Sequence, residues 1–131
     1  MRSDRQAPVA IVGGGFSGTI LAAQLARRGI GSILIDGSGR VGKGVAYSTT
    51  DPAHLLNVRA EAMSAWSGEP DHFAQRFETD GGDRRGFAQR RFFAAYLADI
   101  LDEAVASGCA ETVQATAART RREEGGWRVE L

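Results

Sequence analysis

The chain has 131 residues, 43% of them hydrophobic and 24% charged, with sixteen basic side chains balancing sixteen acidic ones. This is ordinary composition for a folded globular protein, and it excludes a disordered segment and a nucleic-acid binder built on excess positive charge. The length suits a single domain, residues 1–131, and is too short for two complete dinucleotide-binding domains.

Residues 1–7 are polar, and the apolar run behind them is far shorter than a signal-peptide core or a membrane span, so neither export nor membrane insertion is expected and the setting reads as cytoplasmic. Residues 8–12 form a short, continuously apolar stretch running into three glycines. That pattern predicts a strand buried on both faces, central in a parallel sheet. From Phe16 to Arg28 small and aliphatic residues recur at helical spacing, with Arg27 and Arg28 in the last turn and Gly29 as a stop. Residues 30–35, ending at Asp36, are again apolar and β-branched, so strand, helix and strand fit one right-handed crossover unit with parallel pairing.

Residues 37–50 lack any period and read as an ordered, functional loop. A short helix capped near Pro70 and Asp71 is predicted over 71–77, followed by a polar loop over 80–86. Residues 90–105 place Phe92, Phe93, Tyr96, Leu97, Ile100, Leu101 and Val105 on one stripe of an amphipathic helix. The single cysteine, Cys109, follows this helix; it can build no disulfide framework and fits a reducing compartment as a small buried residue. Residues 112–118 are a third parallel strand by composition. Trp127, Val129 and Leu131, alternating with Arg128 and Glu130 behind Gly125 and Gly126, predict one arm of an antiparallel hairpin. The chain ends on that arm and reads as truncated.

Gly13, Gly15 and Gly18 give G-x-G-x-x-G between the first strand and helix. Gly13 permits the tight turn, Gly15 admits a pyrophosphate to the backbone, and Gly18 lets the helix approach the sheet. The free N–H groups at the helix start, helped by its dipole, suit phosphate, and Ser17 adds a hydroxyl. The glycine string alone is a weak signal in a chain with seventeen glycines. Asp36, eighteen residues after Gly18, strengthens it, because a carboxylate there accepts ribose hydroxyls and repels a 2′-phosphate. No G-K-[ST] follows the turn, which excludes a P-loop. Residues 1–50 carry six basic and two acidic side chains, a field of the sign that favours a diphosphate.

Beyond the turn come Gly39-Arg40-Val41-Gly42-Lys43-Gly44-Val45-Ala46-Tyr47 and His54-Leu55-Leu56-Asn57-Val58-Arg59-Ala60, then Asp71-His72-Phe73 and Arg91 through Leu97. Together these resemble the N-terminal part of a bacterial family of FAD/NAD(P)-binding flavoproteins, related to flavin monooxygenases and pyridine-nucleotide-dependent reductases. The resemblance implies a three-layer α/β Rossmann-like FAD/NAD(P)-binding fold with a parallel sheet core and a C-terminal antiparallel hairpin, and a flavin-dependent oxidoreductase using NAD(P)H. It implies that Gly13, Gly14, Gly15, Phe16, Ser17 and Gly18 hold the FAD diphosphate and Asp36 the adenosine ribose. Arg40, Gly44 and Ala46 would lie along diphosphate and ribityl, with Leu56, Asn57 and Val58 near the flavin. Members of that family continue into a second, NAD(P)H-binding half with its own glycine turn, which this chain does not include, and no catalytic residue or substrate is assigned here.

An apolar surface with one amide also suits an isoalloxazine on chemical grounds, and Asn57 between two aliphatic residues offers it, although a core segment with Asn57 bonding backbone is an open alternative. His54 has no acidic partner at a recognisable spacing and reads as structural. Tyr47, Arg59 and Arg91 are candidates for cofactor, phosphate or carboxylate contacts. Phe92, Phe93 and Tyr96 read as helix-on-sheet packing. Two other functions stay open: a non-catalytic nucleotide-binding module acting with a partner chain, and an NAD-binding dehydrogenase domain.

Overall fold

The computed structural model describes residues 8–39, 41 and 47–131. Three parallel strands and a separate hairpin organise it: β1 (Val9–Val12), β2 (Ser32–Ile35) and β3 (Ala110–Val113) form one sheet, and β4 (Arg119–Glu123) pairs antiparallel with β5 (Gly126–Glu130). The helices are α1 (Phe16–Arg27), α2 (His72–Thr79) and α3 (Arg90–Ala106), with a 3-10 turn at Ala60–Ala62. This is the α/β Rossmann-like arrangement with parallel core and C-terminal hairpin that the sequence implies.

One expectation is corrected. The sheet order is β1-β2-β3, so among the described residues β2, not β1, is central. Ser32, Leu34 and Ile35 of β2 are buried, whereas in β1 only Ile11 is, and Val12 is 58% exposed. An apolar run reports that a strand wants cover and is silent on which neighbours supply it. The third strand also starts and stops earlier than composition suggests. It pairs with β2 from Ala110 to Val113, and the chain then leaves the sheet until the Ala118 N–H bonds the Glu130 carbonyl beside the hairpin.

Helix α1 ends as its glycine stop requires: Gly29 has φ +69°, its N–H reaches the Ala26 carbonyl, and the Ile30 N–H reaches that of Leu25. This double closure satisfies carbonyls the helix end would otherwise leave bare. Asp71 occupies the N-cap position of α2 without a side-chain cap, since its carboxylate lies 3.3 Å from Arg84 instead. Helices α1 and α3 pack on each other and against the sheet. Ala22 and Ala23, fully or nearly fully buried on α1, allow the close approach.

The apolar residues segregate into two clusters. Ile11, Ala22, Leu34 and Leu101 fill the space between sheet and helices. Leu56, Trp66, Phe73, Phe93, Tyr96 and Leu97 form the larger one, which corrects the expected helix-on-sheet packing: Phe92, Phe93 and Tyr96 face Phe73 and Phe77 of α2 and the segment carrying Leu56 and Trp66, because α3 turns this stripe away from the strands. Residues 54–61 reach it by running antiparallel to 84–90: Leu55 bridges Gln89, the Leu56 N–H bonds the Ala88 carbonyl at 2.8 Å, and the Ala60 N–H bonds that of Gly86 at 2.9 Å.

Candidate nucleotide-binding site

The site lies where β1 and β2 end. The Gly13 N–H continues the ladder to the Ile35 carbonyl at 2.8 Å, and Gly13 then turns the chain with φ +100°, a conformation side chains resist. Helix α1 starts three residues later, with Gly15 at the N-cap position, no side-chain cap and no acidic residue in the first turn. Its N-terminal N–H groups and positive dipole end are therefore not neutralised by a nearby carboxylate of that turn.

Close packing explains the glycines as strictly as any ligand does. A Cβ at Gly18 would stand 1.9 Å from the Gly13 carbonyl oxygen, so the helix can cross the strand end here only without a side chain. At Gly14 a Cβ would meet Asp36 Cβ and Val41 Cγ1, each at 3.1 Å. The turn is held to β2 by Asp36: the Gly14 N–H donates to Oδ2 at 2.6 Å, and the Ser38 N–H donates to Oδ1 at 2.7 Å. The Ser38 hydroxyl bonds the same Oδ1. Thus the glycine turn and the acid, twenty-two residues apart between Gly14 and Asp36, are one unit. Ile11, Val12, Gly13, Gly15, Phe16, Ser17, Gly18 and Leu21 line an open concavity of about 440 Å³ along it.

A bare glycine turn at a helix start, tied to a carboxylate at the end of the second strand, is the geometry of a dinucleotide diphosphate and ribose site. A family model described as FAD-NAD(P)-binding matches residues 10–131. The chain belongs to the FAD-NAD(P)-binding family. Among curated proteins, none matches this member significantly. Solved structures do: Thermovibrio ammonificans THI4, with 21% identity and a TM-score of 0.55, is matched over 98% of this chain and 47% of its own. S-allyl-L-cysteine S-oxygenase from Allium sativum, with 25% identity and a TM-score of 0.64, is matched over 92% of this chain and 31% of its own. OTEMO in complex with FAD and NADP, with 16% identity and a TM-score of 0.62, is matched over 98% of this chain and 23% of its own. The FAD-NAD(P)-binding chain thus spans less than half the length of each.

In this FAD-NAD(P)-binding chain, Leu56 is buried in the aromatic cluster while the neighbouring Asn57 and Val58 are exposed. Arg40, Gly44 and Ala46 lie outside the described residues. Phe16 and Tyr47 meet with ring centroids 6.1 Å apart, which joins the helix start to the loop. His54 does have partners, contrary to expectation: Thr49 Oγ1 is 2.6 Å from Nδ1 and Asp51 Oδ2 is 3.7 Å from Nε2. All three sit at a solvent-accessible turn that the Asp51 carboxylate closes by accepting the Ala53 N–H. Arg91 donates from Nε to Gln89 Oε1 at 2.7 Å, and Arg59 is exposed at the N-cap of the 3-10 turn. Cys109 is half-buried rather than buried. Sequence reasoning missed Ser38, although a serine two residues after an aspartate is a recognisable turn signal. Among the described residues no helix is long and apolar enough to cross a membrane.

Proposed function

We propose that the chain holds FAD for a flavin-dependent oxidoreductase that draws on NAD(P)H, residues 1–131 acting as one cofactor-binding domain. The observation that carries this reading is the bond from the Gly14 N–H to Asp36 Oδ2 at 2.6 Å, which presents the glycine turn and the acid to one ligand. The fit is physical: Gly14 and Gly18 let the turn pack directly against Asp36 and the end of β1, and the start of α1, free of acidic residues in its first turn, supplies N–H donors for a diphosphate. Asp36 accepts the Gly14 N–H at Oδ2 and the Ser38 N–H and hydroxyl at Oδ1, which fix its carboxylate beside the turn at the end of β2, where a ribose would lie.

In this reading Gly13, Gly15, Phe16 and Ser17 complete the diphosphate contact. Arg40, Gly44 and Ala46 lie along diphosphate and ribityl, and Asn57 and Val58 face the flavin from their exposed positions. Leu56 acts from behind, its buried side chain fixing the backbone of its neighbours. When bound, the flavin would supply the redox chemistry, taking a hydride from NAD(P)H. This chain's residues bind and orient it. OTEMO with FAD and NADP, and the flavin-dependent monooxygenase PieE with FAD and substrate, support the choice of nucleotides.

The test is a titration of the purified chain with FAD, FMN and NADH, followed by flavin absorbance and protein fluorescence. FAD should bind more tightly than the other two. Absence of binding in excess FAD overturns the reading; NADH binding more tightly than FAD moves it to a dehydrogenase domain.

A further inference from the structure

We infer that Tyr47 is a positioning residue that sets the separation between the diphosphate end and the flavin end of the site; this rests on the FAD reading above. Phe16 is the first residue of α1, immediately after the glycine turn, and is 41% exposed. Phe93, on α3, is 1% exposed and shares the larger core cluster with Leu56. Tyr47 lies between them, its ring centroid 6.1 Å from that of Phe16 and 5.0 Å from that of Phe93, with interplanar angles of 62° and 59°. Phe16 and Phe93 are themselves 6.1 Å apart, so the three rings close a triangle. Steep interplanar angles at these distances place ring edges against ring faces, the attractive arrangement for aromatic pairs.

The triangle is a continuous packed path from the turn that would hold the diphosphate to the cluster that carries Leu56, next to Asn57 and Val58. Tyr47 supplies two of its three sides and comes from neither helix. Removing its ring leaves, of the triangle, only the flatter Phe16–Phe93 contact at 6.1 Å and 31°, so the spacing of the two ends loses two of its three packed sides. A ligand that engages both ends then suffers, whereas one that engages only the turn and Asp36 does not.

Calorimetric titration of the full chain with FAD and with ADP, which carries the diphosphate and ribose without the flavin, separates the two cases. Tyr47→Ala should weaken FAD by about tenfold and ADP by less than about twofold, and Tyr47→Phe, which keeps the ring, should restore FAD binding. Should Tyr47→Ala not fold, by circular dichroism, Tyr47→Leu keeps the bulk without the aromatic edge and is read by the same ratio. Equal losses for FAD and ADP, or no loss for either, overturn the inference while leaving the FAD reading intact. A wild-type chain that binds ADP and gains nothing from the flavin half overturns both.

Discussion

Gly18 carries the tightest steric demand in the site. Because its Cβ would meet a backbone oxygen at 1.9 Å and not a side chain that can swing aside, Gly18→Ala must push α1 away from β1. We expect it to lower stability by at least about 3 kcal/mol in urea unfolding and to abolish nucleotide binding. Asp36→Asn, whose NH2 must face one of the two N–H donors the carboxylate accepts, should loosen the turn at modest cost in stability and weaken FAD more than FMN, which has no adenosine ribose. Titration with both flavins checks this. Tyr96 is the corresponding demand in the core: its hydroxyl accepts the Ala65 N–H at 3.1 Å and lies 2.7 Å from His72 Nδ1. Burial, partly opposed by the Ala65 bond, raises its pKa above the ordinary tyrosine value. A phenol with a higher pKa when folded contributes stability that is whole below its unfolded pKa and is lost as pH rises through the folded value. Tyr96→Phe should therefore cost about 1–3 kcal/mol near neutrality, and the deficit should shrink above about pH 10. Urea midpoints of the two proteins across that range are the measurement.

At the scale of elements, α1 is fastened at its far end by a clasp that no pattern in the sequence announces. The Arg27 guanidinium lies 3.3 Å over the Trp66 ring and 2.6 Å from Glu69. Its hydrogen bond holds the Glu69 carboxyl below the usual glutamate range, against a smaller opposing effect of desolvation. A depressed carboxylate contributes stability above its unfolded pKa and loses it as pH falls through the folded one. The thermal midpoint of Arg27→Ala should thus lie below that of wild type near neutrality, and the gap should narrow as Glu69 protonates in acid, the part due to the Trp66 contact remaining. The helices themselves were legible in the sequence: a stripe of Phe93, Tyr96, Leu97 and Ile100 at helical spacing is local information, and so is Gly29 as a stop. The Arg27 clasp and the antiparallel run of Leu56 against Ala88 were not, because each joins residues more than thirty positions apart. The sequence showed Asp36 and the glycines as separate signals. Their direct bond and the help of Ser38 needed the folded backbone.

Across the whole molecule, burial is unequal. Strand β2 lies between two partners, whereas every residue of β4 is exposed. Amide exchange should accordingly be at least about a hundredfold slower in β2 than in the hairpin. Similar rates in both would contradict the arrangement. The hairpin was legible from Gly125, Gly126 and the alternation after them, but the neighbours of β1 were not, since an apolar run says nothing about which strand lies beside it. The same inequality distributes the two tryptophans. Trp66 is 5% exposed beneath Arg27, and Trp127 is 68% exposed on β5. The chain therefore carries two optical reporters of opposite character: a shielded, blue-emitting indole beside α1, and a red-emitting one on the hairpin that acrylamide quenches first. With Trp127→Phe, the remaining emission follows the clasp alone.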